Sequence, residues 1–386
     1  MRSKHVKIMP FIAVAMSLFL TQGVLVYLGV RQLGLLICYG LLYFLAVSYM
    51  FSSGKIKCLS STEKMYMFVV VALGLFWEKN IIFCITWAGV VFVVWYLNHL
   101  DSQKYYLRFL FLVFFIIETL LGIYEKTIQT SIFPTFDLEA IIGEYGIEAL
   151  GQNGFRATSL CGFPLANALA VSISMSFLLL YYKKITYRFA IWFVGYWSLF
   201  AFNARGATLV WVLISVLLII DLLKHSKSNK RWFILLSLMV FIPIIINYLA
   251  HSHWGGRLFH DDKILDGSAM SRIGAYDYYR NLSPFVIVFG YDYSYPPTEN
   301  GYLNLLIRYG LVGGLSFILF QLKMIWQYVG NRSGFEKIIL LLAFIGVGQT
   351  NNALNQPMFL FLFCLCVSIF NSKENGKNMG HRTKRK

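Results

Sequence analysis

The chain of 386 residues is 58% hydrophobic and only 13% charged, with a mean hydropathy of +0.62. Soluble globular domains carry roughly a quarter charged residues, so this balance excludes an ordinary soluble protein. The formal net charge of +16 raises nucleic acid as a partner, and the placement of the charges argues against it.

In chain order, apolar stretches long enough to cross a hydrocarbon core of about 30 Å recur from end to end. They predict an all-α polytopic membrane protein with twelve transmembrane helices, at approximately 8–28, 33–52, 65–79, 81–98, 106–124, 165–182, 187–204, 206–223, 232–250, 302–322, 337–351 and 354–371. Alternate connecting segments, starting from the N-terminus, hold 24 of the 34 Lys and Arg residues. By the positive-inside rule these segments face the cytoplasm, as do both termini and the basic tail 372–386. The charge thus records topology and contact with anionic lipid, with no nucleic acid as partner. Positions 1–386 read as one integral membrane domain. The stretch from Leu18 to Gly29 lacks a small-residue cleavage site, so the first span is expected to stay as an anchor. Of the six cysteines only Cys161 falls in an outer loop, and no structural disulfide or metal spacing follows.

Five spans joined by tight turns occupy the first third. Glu118, near the outer end of the fifth, reads as a carboxylate close to the interface. The first large outer loop, 125–164, contains FDLEAIIGEYGIEALG, whose spacing predicts a short amphipathic surface helix. GFRATSLCGFPLANALA follows and places Arg156 just before the sixth span. Spans seven and eight are separated only by FNARGA, with Arg205 at the tip. An arginine there belongs at the interface or against an anion.

The second large outer loop, 251–301, runs through DDKILDGSAMSRIGAYDYYRN and FGYDYSYPPTEN. Its Pro296, Pro297 and Thr298 are helix-start residues, which predicts Glu299 and Asn300 in the first turn of the following span. On this map Arg156, Arg205, Arg257, Arg272, Arg280 and Arg308 all lie at the outer boundary. Guanidinium is a rigid bidentate donor suited to phosphate oxygens, and several above a bilayer suit a lipid-linked phosphate headgroup. The alternative for each one is snorkelling to lipid or pairing with a nearby carboxylate. Glu299 is the candidate acid–base group, and tyrosines from Tyr276 to Tyr302 are candidates for stacking on sugars or for an interfacial belt. His251, His253 and His260, with Asp261 and Asp262, match no compact ligand set; no metal and no cofactor is expected.

The order FRATSLCGFPLANALA, FNARGATLVWVLI, SRIGAYDYYRN and ENGYLNLLIRYGLVGGLSFIL resembles the O-antigen polymerase and ligase superfamily (Wzy-type polymerases), over about residues 150–370. In that family an arginine precedes a Pro-Asn-x-Leu-Ala span, here Arg156. A Ser-Arg-Gly hairpin follows, here Ala204-Arg205-Gly206, then a loop arginine, here Arg272. Last comes a His/Asp-Asn-x-Tyr-Leu helix start followed by Gly-Leu-x-Gly, here Glu299 to Leu303 with Gly310, Leu311 and Gly313. Ligases of the family have His where this chain has Glu299, which favours polymerase. PLAN separates the Pro-Asn pair, which leaves Asn167 without a transferred role.

The resemblance implies a metal-independent membrane glycosyltransferase on the outer face of a bacterial cytoplasmic membrane. It would polymerise undecaprenyl-diphosphate-linked oligosaccharide repeat units into capsule, exopolysaccharide or O-antigen. Glu299, Arg272 and Arg205 would be catalytic, with Arg156, Asn300, Tyr302, Arg257 and Arg308 binding substrate. A chain-length regulator and a flippase would be partners. A ligase-type glycan transferase, a lipid-linked oligosaccharide flippase or other transporter, and a scaffold of the assembly complex stand as the competing expectations.

Overall fold

The computed structural model describes residues 8–54, 59–100, 103–133, 155–225, 243–252, 267–290, 300–330, 332–349 and 356–370. Among the described residues every regular element is helical and there is no strand. Helices satisfy their own backbone groups, which is the requirement an apolar solvent imposes. Among the described residues, five helices are long and apolar enough to cross a membrane: Ile81–Asn98, Lys104–Ile128, Pro164–Tyr181, Arg205–Lys224 and Gly301–Val329. The large side chains left exposed agree with an apolar surround, among them Phe44, Phe51, Phe68, Phe76 and Leu209, each at least two-thirds exposed. A water-facing surface rarely carries so many.

The N-terminal half comprises α1 (Ile8–Phe19), α2 (Gln22–Tyr27), α3 (Arg31–Ser52), α4 (Ser61–Phe76), α5 (Ile81–Asn98) and α6 (Lys104–Ile128). A single span predicted over 8–28 is broken at Thr21. The Thr21 hydroxyl donates to the carbonyl of Leu160. A Cβ on Gly23 would lie 2.5 Å from that same oxygen and 2.7 Å from the Gly162 nitrogen. The break therefore admits the backbone of a distant loop, a contact that periodicity cannot reveal. Helix α4 starts in a capping box, with Ser60 Oγ accepting from Glu63 N and the Glu63 carboxylate accepting from Ser60 N.

The second half holds α7 (Pro164–Tyr181), α8 (Ile185–Ala201), α9 (Arg205–His225), a helical segment 243–250, α10 (Gly267–Arg280), α11 (Pro284–Phe289), α12 (Gly301–Gly310), α13 (Ser316–Val329), α14 (Gly334–Leu341) and α15 (Pro357–Phe370). The predicted stretches 81–98, 165–182 and 206–223 match α5, α7 and α9 to within two residues. The stretch predicted over 302–322 is α12, a π-helical turn Leu311–Leu315, and α13. Gly310 there has a left-handed backbone (φ +67°), as does Gly290 (φ +78°), and a Cβ on either would strike the backbone of the other at 2.3–2.6 Å. A second π turn, Leu342–Gly346, sits between α14 and the short helix Val347–Gln349. Single π turns of this kind are frequent at functional sites.

Helices α7 and α15 lie at the centre of the bundle, and all but two residues of each are buried. Their C-terminal ends are gathered on one face. Arg108 Nε donates to Ile369 O at 3.0 Å, Arg108 Nη1 to Tyr181 Oη at 3.2 Å, and Arg332 Nη2 to Phe370 O at 3.3 Å. Cationic groups at helix C-termini complement the carbonyl ends of the helix dipole. The opposite face carries the N-terminal ends of α7, α9 and α12.

Candidate functional site

The segment 155–163 enters between helices and is held by α6. In the sequence Glu125 and Lys126 stand at the start of an outer loop, but α6 continues to Ile128 and closes on a left-handed Gln129 (φ +55°). Both side chains therefore belong to a helix and point into protein, at 0% and 1% exposure. The Glu125 carboxylate accepts from the backbone N–H groups of Thr158 (2.7 Å), Ser159 (2.8 Å) and Ile132 (2.8 Å). Lys126 Nζ donates to Phe155 O at 2.7 Å. These are charge-assisted bonds in a water-poor place, the strong kind.

Glu118 is two helical turns away on the same face, and it is fully buried in protein. Its Oε2 accepts from Ser159 Oγ (3.1 Å) and from Leu160 N (3.2 Å), while its backbone carbonyl accepts from the same Ser159 hydroxyl at 2.9 Å. Ser159 has a left-handed backbone (φ +40°), a conformation that persists in a non-glycine residue only where its surroundings over-determine it. Asn167, on the first turns of α7, completes the grip: its Oδ1 accepts from Cys161 N at 2.9 Å and its Nδ2 donates to Thr158 O. Burial, with the Glu118 carboxylate beside it, pushes the Cys161 thiol well above its usual range, so it remains a protonated, inert thiol.

Arg156 sits in the first part of this loop. Its Nε donates to Phe202 O at 3.3 Å, and the next residue, Ala157, donates its N–H to Ala201 O at 3.1 Å. Phe202 and Ala201 end α8 and lead through Asn203, left-handed at φ +51°, into Arg205 at the start of α9. The structure therefore brings Arg156 against the turn that carries Arg205, although 48 positions separate the two in sequence.

A second polar junction lies at α12. Asn300 is the N-cap and Gly301 the first helical residue, so Asn300 precedes the first turn in which it was expected. Its Oδ1 accepts from Leu303 N at 3.0 Å, as an N-cap does. The same oxygen accepts from Gln349 Nε2 at 2.7 Å, and Asn300 Nδ2 donates to Tyr276 Oη at 2.8 Å. Tyr276 belongs to α10, the helix that also contains Arg272. Ala275, Tyr278 and Tyr279 of α10 pack on Leu303 and Ile307 of α12. Val347–Gln349 in turn packs on α7, α9 and α12, which joins this junction to the arginine-bearing turn.

The remaining candidates divide. Arg308 is ion-paired with Glu78 at 2.6 Å, and Tyr309 bonds the same carboxylate. Tyr302 is half-buried against the main core. His251 Nδ1 lies 2.8 Å from Asn247 O. Arg257, Glu299, His253, His260, Asp261, Asp262 and the expected surface helix within 137–150 lie outside the described residues. Among the described residues no group of His, Cys, Asp and Glu could hold a metal ion.

Sequence reasoning gave no site role to Glu118, Glu125, Lys126 or Asn167. The signal available was ionisable groups at positions 118, 125 and 126 of an otherwise apolar stretch, where such groups are costly unless paired. No protein-family model and no curated protein matches this chain.

Proposed function

We propose that this chain is a polytopic protein of a bacterial cytoplasmic membrane, with twelve spans and both termini in the cytoplasm, that polymerises undecaprenyl-diphosphate-linked oligosaccharide repeat units on the outer face. The observation that carries the reading is the bond of Arg156 to Phe202 O. It joins two arginine motifs that the resemblance to Wzy-type polymerases treats as parts of one site. Two guanidinium groups on one side of the bundle suit the two phosphates of a polyprenyl diphosphate.

In the proposed reaction a hydroxyl at the non-reducing end of the acceptor unit attacks the anomeric carbon of the donor glycan. The new carbon–oxygen bond forms as the bond from that carbon to the diphosphate breaks, and the electron pair leaves with the diphosphate. Arg156, Arg205 and Arg272 stabilise the charge that grows there. Glu299 accepts the hydroxyl proton, Tyr302, Arg257 and Arg308 border the substrate, and Asn300 orders the helix start beside it. The reaction needs no nucleotide sugar, metal or cofactor. A chain-length regulator and a flippase act alongside.

The test is the glycan ladder of cells that carry Arg156→Ala or Arg205→Ala, with the membrane level of each variant measured in parallel. The expected result is loss of long chains and accumulation of single repeat units on the lipid carrier. A normal ladder in both variants removes the arginines from the reaction. Repeat units trapped on the cytoplasmic side indicate a flippase, and polymer retained on the carrier indicates a ligase.

A further inference from the structure

The arginine at 156 is gripped on both sides by two adjacent residues of one helix. Lys126 Nζ holds the carbonyl of Phe155, the residue before it, at 2.7 Å. Glu125 holds the N–H groups of Thr158 and Ser159, two and three residues after it, at 2.7 and 2.8 Å. Between these anchors the Ala157 N–H is fixed to Ala201 O, and the guanidinium Nε to Phe202 O. A lysine at the outer end of a helix ordinarily extends its ammonium to water. Lys126 is instead 1% exposed, which costs desolvation that a mere solubilising charge does not incur. Arginine has several rotatable bonds, and an anion site gains from having them restrained before the ligand arrives.

We infer that Glu125 and Lys126 are positioning residues that fix the Arg156 loop for a polyprenyl diphosphate. Lys126 sets where the loop enters, Glu125 sets where it turns, and neither touches the ligand. The inference rests on the diphosphate reading of the preceding subsection, and it deepens that reading by naming residues that the motif order does not contain.

The test uses purified full-length protein in lipid nanodiscs, with undecaprenyl diphosphate as probe and undecaprenol as the control for binding through the tail alone. Wild type is expected to bind the diphosphate more tightly than the alcohol. Lys126→Met is expected to remain folded, with a lower melting temperature, and to weaken diphosphate binding by about tenfold, the scale of one charge-assisted bond, as Arg156→Ala does. The double variant should bind no more weakly than Arg156→Ala, because a positioning residue has nothing to position once the arginine is gone. Lys126→Arg should recover part of the affinity, and Glu125→Gln should behave as Lys126→Met.

Wild-type affinity in Lys126→Met beside weak binding in Arg156→Ala overturns the positioning role alone. Losses that multiply in the double variant overturn it too, since they mark two independent charges. Unfolding of both Lys126→Met and Glu125→Gln assigns the pair to the fold instead and also overturns it. Equal binding of diphosphate and alcohol by wild type defeats the diphosphate reading itself, and the positioning role falls with it.

Discussion

Helices α7 and α9, of 18 and 21 residues, are both apolar, yet they occupy opposite environments. In α7 only Leu165 and Tyr181 escape burial. Its Ala166, Ala168, Ala170, Ser172, Ser174 and Ser176 put a small residue at every second position, and small residues let neighbouring helices approach closely. The three serine hydroxyls return to carbonyls of the preceding turn, Ala168, Ala170 and Ile173, and so bring no unpaired polar group into the core. Helix α9 instead shows Leu209, Val212, Leu213, Val216 and Ile220 on one exposed stripe, with Ala207, Trp211 and Ile214 buried on the other. It is a boundary helix, with one face against protein and one exposed apolar face.

The segments that lead into them differ in the same way. The turn before α9 is local, closed by Asn203 N to Phe200 O and Ala204 N to Leu199 O. The loop before α7 takes its bonds from α6, α2 and α8. A helix buried all round leaves no lipid or water at its entrance, so every backbone group there needs a protein partner.

Substitutions within the two helices break or sharpen this contrast. Ala168→Leu in α7 inserts a branched side chain where exposure is 0%, and overpacking of this kind costs about 1–3 kcal/mol. It should lower the melting temperature of the purified protein and its yield in the membrane. A variant as stable as wild type would mean that α7 is less tightly enclosed than its burial indicates. Trp211→Phe tests the link between the helices, because Trp211 Nε1 donates to Ser172 Oγ at 2.9 Å. Interhelical bonds in membrane proteins average about 0.6 kcal/mol, so a small drop in thermal stability is expected, and none once Ser172 is also replaced by Ala. Leu213→Ile on the exposed stripe of α9 should change stability by less than about 0.5 kcal/mol. A large loss there would show that the stripe is covered by protein, for instance a second copy of the chain, instead of lipid.

The sequence by itself determined the class: apolar runs of membrane length, the helices they form, and an arginine before α7 and another at the start of α9. Those follow from composition and period, which are local properties. It also placed the start of α12 near its Pro-Thr signal, while the structure makes Asn300 the cap and Gly301 the first helical residue. Tertiary structure decided the rest. The break at Thr21, the helical placement of Glu125 and Lys126, the burial of Glu118 and the role of Asn167 all arise where the loop 155–163 meets other elements. Each is a partnership between residues tens of positions apart, such as Thr21 with Leu160 or Glu118 with Ser159. Hydropathy measures a residue's preference for water or oil. Which partner satisfies a buried carboxylate depends on where the chain returns, and only the packed bundle fixes that.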